Sequence, residues 1–415
     1  MPNTLITPSM IAKEALMQLE NNLVFANRVH REYVKEFSGG QGSTVAIRRP
    51  VKFQTTNGAT ASLQDVEEKS TNITVDQRKH VAWEFSTQDL TLSIEEYSER
   101  YIKPAAITLA QTVDRSIATL YRSVWNAVGN VATQPPSTFT DVARAAQRLD
   151  EMAVEMDART MAVTPATAYA VAGNQTTLNG VGDVRKTAYE RAKVNTIANF
   201  DMYQSQNIVT HTVGVATGTP LVNGAAQNVT YANAVGSNWS QSLVTDGWTN
   251  STANILRAGD VFTIAGVFAV NPVPGEGSKQ AYSYLQQFTV LADATSGAST
   301  GPATLTISPP IITSGPFQTV SAAPADNAAI TVLGTGGASY PQNMGFHKNA
   351  FALVTVPLDM PDGVPFKARE SYNGLSMRVV KDYDFTNDTD RIRLDILYGV
   401  KAIYPDLACR VVGGT

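Results

Sequence analysis

The sequence predicts an α+β fold, in which a host of mixed helices and strands is interrupted by a nearly uncharged β-rich module. Three observations predict it. A long apolar stripe at helical spacing runs from Leu109 to Val128. Strict apolar–polar alternation marks strands at 73–85 and 392–400. Between residues 212 and 340 the charged residues thin to seven in 129, about 5%, against about 21% elsewhere, and the same stretch holds 15 of the 29 glycines.

Taken in order, a helix opens the chain. Thr7 suits an N-cap and Pro8 the first turn, and Met10, Ile11, Ala15, Leu16 and Leu19 then share one face. Residues 38–43, SGGQGS, break that pattern. They lack a following Lys-Ser/Thr and open no helix, so they read as a hinge rather than a phosphate-cradling loop. Residues 44–85 read as a long two-stranded excursion. Val45 and Ile47 alternate on the way out, and Ile73, Val75, Val81, Trp83 and Phe85 occupy odd positions on the return. So polar a hairpin buries little against its own domain and is either disordered or docked on a neighbour, with Val81, Trp83 and Phe85 as the apolar face to be covered.

Pro104 then suits a first helical turn, and Leu109, Val113, Ile117, Leu120, Val124 and Val128 make one stripe. A helix over 104–128 would be roughly 37 Å long, a spine for the fold. Asp114 and Arg115 lie beside the stripe and read as a solvated or inter-subunit ion pair. A second helix from Thr140 carries Val142, Ala145, Ala146, Leu149, Met152 and Ala153. TMAVTP is a short strand, Thr164-Pro165 starts a short helix, and residues 187–210 pass from helix to strand.

The stretch 212–340 has short β-rich runs between Gly/Pro turns and no fixed repeat, which argues a small barrel or sandwich. Beyond it, 350–358 is a continuous apolar run, as in a strand buried on both faces, and 392–400 alternates as a half-buried strand. The module is therefore read as an insertion.

Composition excludes several functions. The chain has 415 residues, net charge −4, 43% hydrophobic and 16% charged residues, so it is neither disordered as a whole nor a bulk-charge nucleic-acid binder. The one cysteine, Cys409, excludes an internal disulfide and multi-cysteine metal sites, and reads as a small buried residue. The first ten residues show no basic, then apolar, leader pattern, and no apolar run is long enough for a membrane span.

Catalytic motifs are missing. His30, His80, His211 and His347 are isolated in sequence, and no GxSxG elbow exists. The pairs Glu67/Glu68 and Glu95/Glu96 read as first-turn acids, with a general acid/base pair as the alternative. The weak candidate for a cation loop is KDYDFTNDTDR, with Asp382, Asp384, Asp388 and Asp390 offering hard oxygens. It lacks the Gly and Glu of an EF-hand, and a solvated acidic loop is the plainer reading. No cofactor, catalytic residue or firm metal site is expected.

Four segments carry a resemblance: PQNMGFHKNAFALVTVPL (341–358), ANFDMYQSQNIVTHT (198–212), ILRAGDVFTIAGV (255–267) and IRLDILYGVKAIYPDLACRVVGG (392–414). With the order of elements, they resemble the tailed-phage major capsid proteins of HK97-like fold, specifically the P22-like coat proteins with an insertion domain. The resemblance implies an N-arm at 1–38, an E-loop hairpin at 39–86, and a P-domain with spine helix at 87–160. It implies an A-domain at 161–211 and 341–415, and an inserted β domain at 212–340. It further implies a major capsid protein, not an enzyme, that self-assembles as pentamers and hexamers into an icosahedral shell around double-stranded DNA. Its partners would be other copies of itself, a scaffolding protein, a portal and decoration proteins. It would touch packaged DNA only weakly and without sequence preference, would contact no membrane, and would be assembled in the host cytoplasm for the virion. Mild acidity fits a wall that must not clamp phosphate. Two alternatives stay open: an encapsulin-like compartment shell, and a carbohydrate-binding or hydrolytic β-domain protein using Trp239 and Trp248 as a sugar platform.

Overall fold

The computed structural model describes residues 8–21, 23–33, 43–56, 58–60, 63–64, 66–86, 101–177, 196–273, 279–364, 366–372 and 374–414. The glycine-rich residues 38–42, the pair Glu95/Glu96 and most of the helix expected over 187–198 lie outside them. The chain forms two compact units. One is built from Met1–Ala46, Asn72–Ala118 and Phe351–Lys401, the other from Ile47–Thr71, Thr119–Ala350 and Ala402–Thr415.

In the first unit, α1 (Pro8–Asn21) buries Ile11, Ala12, Ala15, Leu16 and Leu19, the face its spacing predicts, while Met10 is exposed. The spine helix α2 (Lys103–Ala118) buries Leu109, Val113 and Ile117. It stops ten residues before the predicted end: Thr119–Ser123 tighten into a 3-10 turn, and Ala127–Val128 become a short strand, β4. Val124 to Val128 are all buried, which one face of a helix cannot achieve; the apolar run kept the helical spacing only by coincidence.

Helices α1 and α2 pack together, and α1 lies across two strands of a five-stranded sheet. That sheet runs β17 (Phe351–Thr355), β20 (Thr389–Ala402), β19 (Leu375–Asp384), β18 (Phe366–Tyr372), and β3 (Gln77–Ser86) also pairs with β20. All five residues of β17 are buried, as its unbroken apolar run requires. Ile392, Leu394, Ile396 and Tyr398 are the buried positions of β20. The predicted return strand is two strands, not one. Its first part, β2 (Ser70–Thr74), pairs with β1 (Thr44–Arg48), while β3 leaves and pairs with β20, Gln77 opposite Tyr398 and Ser86 opposite Thr389. One alternating pattern serves both partners because a strand's side-chain period is two in any sheet.

In the second unit a mixed sheet runs β4, β21 (Ala408–Val411), β16 (Asn343–His347), β5 (Arg159–Val163), β7 (Phe200–Gln204), β6 (Thr196–Ile197). Helix α3 (Phe139–Glu151) starts at a capping box between Thr138 and Asp141, and α4 (Pro165–Thr177) follows β5. Val142, Leu149, Met161, Val163, Phe200 and Cys409 share the core between helices and sheet. So α3 packs on this sheet, while residues 351–401 build the sheet of the other unit.

The neutral stretch is bracketed by β8 (Thr210–Thr212) and β15 (Ser339–Pro341), which pair with Thr212 opposite Ser339. Between them six strands form an antiparallel sheet. Their order is β14 (Ile330–Val332), β11 (Val261–Val270), β12 (Ala281–Val290), β13 (Ala303–Ser308), β10 (Gln241–Trp248), β9 (Gly218–Val222). A bridge from Leu221 to Ala329 joins the two edges, so the sheet closes as a barrel and leaves no unpaired strand at that seam. Leu243, Phe262, Ile264, Phe288, Leu305 and Ile307 fill it, all fully buried.

Candidate functional site

Two of the histidines, isolated in sequence, meet carboxylates in the fold. In the second unit His211, at the mouth of the barrel stretch, is buried with Asp260 and Tyr121. His211 Nε2 meets Asp260 Oδ1 at 2.7 Å, and Tyr121 Oη meets His211 Nδ1 at 2.9 Å. Asp260 Oδ2 also accepts the backbone N–H groups of Gly214 (3.0 Å) and Arg257 (2.6 Å). Beside them Arg410, fully buried, donates to the carbonyl of Gly259 (2.8 Å) and to Gln342 Oε1 (3.2 Å), with its cation over the Tyr121 ring. Burial lowers the Arg410 pKa from its usual value. The His211, Asp260 and Tyr121 side chains and both terminal nitrogens of Arg410 bond to neighbours, so the network locks the barrel's Gly259-Asp260 turn to residues 121, 211 and 410; the buried Arg410 Nε has no hydrogen-bond partner among the described residues. Spacing gave no warning of it, because, apart from the Arg257 N–H, the partners lie 46 to 151 residues apart.

Glu155, Asp157 and His347 bring one ligand atom each within 4.8 Å of one another. His347 is buried and accepts the Asn349 N–H on Nδ1 (3.3 Å), while Nε2 stands 3.8 Å from Asp157 and 4.0 Å from Glu155. Nδ1 is thus engaged by the Asn349 N–H, and Nε2 faces the two exposed carboxylates beyond hydrogen-bond reach of either.

The predicted cation loop is the tip of the β19–β20 hairpin. Asp384 pairs with Arg391 (2.7 Å) and accepts from Asn387 Nδ2 (2.8 Å), Asp390 pairs with Lys381 (3.1 Å), and Tyr383 Oη donates to Asp388 (2.7 Å). These bonds hold the Asp384 carboxyl below its usual pKa, the Asn387 amide first and the Thr386 N–H next. The carboxylates are engaged with different partners and do not converge on one point among the described residues. Cys409 is fully buried, and burial pushes its thiol up to about 12, so it is inert packing.

Asp114, read as solvated, is fully buried on α2. It accepts the N–H groups of Val24 (2.6 Å) and Ala26 (3.1 Å), holding the turn that follows α1. Burial raises its pKa against the pull of those bonds. Val81, Trp83 and Phe85 are half-buried on β3 within their own unit, with Trp83 opposite Ile392 and Phe85 edge-on to Tyr101.

A second cluster lies at the foot of the predicted E-loop, inside the second unit. Lys69 donates its ammonium to the carbonyls of Ala232 (2.7 Å) and Ala234 and lies over the Tyr231 ring. Arg49 donates Nε–H to Thr71 Oγ1 (3.1 Å) and lies 5.0 Å from the Trp239 ring centre. Tyr231 stacks on Phe317 with centroids 3.6 Å apart. Arg49, Tyr231, Trp239 and Phe317 border a cavity of about 160 Å³ that Lys52 and Lys279 also line. The cluster excludes the sugar platform: Trp239 is buried beneath Arg49, and Trp248 is buried in the barrel core with its indole N–H on Thr245.

The residues thus offer structural locks and surfaces, and comparisons with known proteins agree. A major capsid protein of Acyrthosiphon pisum secondary endosymbiont phage 1 is 21% identical over 97% of this chain and 97% of its own length. A solved structure from Mycobacterium phage Che8 matches 94% of this chain and 92% of its own at TM-score 0.50 and 15% identity. The capsid structure of the cyanophage P-SCSP1u matches 89% and 83% at 12% identity and TM-score 0.45. The fold is the HK97-like capsid fold that the sequence led us to expect. The family described as P22 coat protein, gene protein 5, matches residues 3–413, and the chain belongs to it.

Proposed function

We propose that this protein acts as a building unit throughout, with no turnover chemistry of its own. As a P22-family coat protein of HK97-like fold it is a major capsid protein of a tailed phage, a virion component that assembles with copies of itself into the capsid shell. The match to that family over residues 3–413 carries this conclusion. The buried polar groups support the absence of catalysis: His211 and Asp260 are satisfied by their neighbours, and both they and Arg410 are buried away from solvent.

The finer reading is ours. The shell is icosahedral, built of pentamers and hexamers around double-stranded DNA, on a scaffolding protein, with a portal at one vertex and decoration proteins outside, and is assembled in the host cytoplasm. The net charge of −4 supports weak, non-specific contact with the packaged DNA. Residues 212–340 act as the inserted domain; the closed six-stranded barrel and the pairing of its flanking strands β8 and β15 support this. The stretch 43–75, the β1–β2 ribbon and its tip, serves as the arm reaching a neighbouring copy, because β3 is already committed to a sheet of its own chain. Val81, Trp83 and Phe85 then contribute to that contact only from its edge.

Electron microscopy of the purified full chain tests the conclusion. Closed shells of uniform diameter are expected; a monodisperse monomer under all assembly conditions would overturn it.

A further inference from the structure

We propose that the cavity beside Arg49 and Trp239 receives the acidic β19–β20 hairpin tip of a second copy, with Phe385 as the inserted side chain. The inference rests on the shell-forming reading and names one contact within it.

The cavity is shaped for an aromatic ring beside negative charge. Tyr231, Trp239 and Phe317 supply aromatic walls, and Arg49, Lys52 and Lys279 line it with cations. Its volume of about 160 Å³ is ample for one ring, since a cavity of about 150 Å³ is known to take up benzene. Among the described residues the one acid that lines it is Asp406. The Lys279 side chain is buried and donates to the Gln318 carbonyl (3.1 Å), and no carboxylate among the described residues pairs with it or with Lys52. Burial, then the charge of Lys52, pushes the Lys279 pKa down to about 8. A buried ammonium beside a second ammonium is costly unless an anion joins them.

The hairpin tip carries the complement. Phe385 is 90% exposed, the aromatic least covered by this chain among its exposed large hydrophobic residues. It stands in KDYDFTNDTDR, residues 381–391, where four aspartates outnumber Lys381 and Arg391; those two pair with Asp390 and Asp384, so the tip keeps a net charge of −2. Asp384 accepts the Thr386 N–H and the Asn387 amide, so the tip is held in shape before it meets a partner and loses little freedom on binding. An aromatic anchor in a pocket, ringed by opposite charges, is the usual composition of a protein–protein hot spot.

The test is disulfide trapping in particles assembled from the full chain. Cys409 is buried and silent, so Phe385→Cys and Lys52→Cys can be introduced together in one chain. Under oxidation, assembled particles of the double variant should give a ladder of covalent oligomers on a non-reducing gel. Each single variant, and unassembled double variant, should give none. Lys52→Glu should lower particle yield several-fold, and adding Asp388→Lys should restore it. Particles of normal yield without a ladder, or carrying only a bond within one chain, would overturn this contact and leave the shell reading intact. Failure of the unsubstituted chain to form particles at all would overturn the shell reading, and the contact with it.

Discussion

Asp114 shows how much one residue decides. Its carboxylate sits fully buried and takes the N–H groups of Val24 and Ala26, so it ties α2 to the turn after α1. Asp114→Asn would keep one acceptor and turn an N–H₂ toward a backbone donor. We expect a loss of about 1–3 kcal/mol, read from chemical denaturation. Because burial raises the folded pKa, the folded state holds this proton more tightly than the unfolded state. Its contribution is therefore greatest below the ordinary carboxylate pKa and is lost as pH rises through the raised folded value. The Asn variant should remove that part of the pH slope. His211 makes the same point about histidines. Replacing His30, His80 and His347 by Gln is expected to leave stability broadly unchanged. His211→Gln should cost about 1–3 kcal/mol, since Asp260 and Tyr121 lose a buried partner, and a melting temperature equal to the parent's would show the network to be idle.

Elements were legible wherever periodicity had one reading. The α1 face, the buried β17 and the alternating β20 stand where the spacing put them. The spine helix was over-extended because an apolar run buried on every side imitates a helical stripe. The 73–85 alternation hid a change of partner between β2 and β3. Trp83→Asp would consequently disturb the chain's own sheet, where Trp83 faces Ile392, as well as any neighbour. The α3 start was only partly legible: Asp141 three residues after Thr138 closes a capping box by returning its carboxylate to the Thr138 N–H. Thr138→Ala should cost about 1 kcal/mol, and circular dichroism should show the melting midpoint lowered with the folded spectrum unchanged.

For the whole molecule the neutral stretch is the clearest case. Residues 212–340, expressed alone, should give a β-type spectrum and a cooperative melt, because the barrel has its own core and its ends meet at β8 and β15. Its midpoint should lie below that of the same barrel in the full chain, because the fragment lacks His211, Tyr121 and Arg410 around the Gly259-Asp260 turn. A protease-labile fragment without a transition would mean that these contacts, not the core, hold the barrel together.

By itself the sequence determined the fold class, the capsid family, the neutral β-rich character of residues 212–340 and the scarcity of catalytic motifs. These live in local signals: side-chain period, Gly/Pro punctuation, charge density and short family segments. Only the tertiary structure decided that 351–401 builds one sheet and 343–347 another, that Asp114 and His211 are buried locks, and that Arg49 covers Trp239. Each of those depends on residues far apart in the chain, such as 114 with 24, 410 with 259 and 49 with 239. Local spacing is blind to such pairs, because the energy that brings them together comes from burying the cores between them and not from anything their near neighbours prefer.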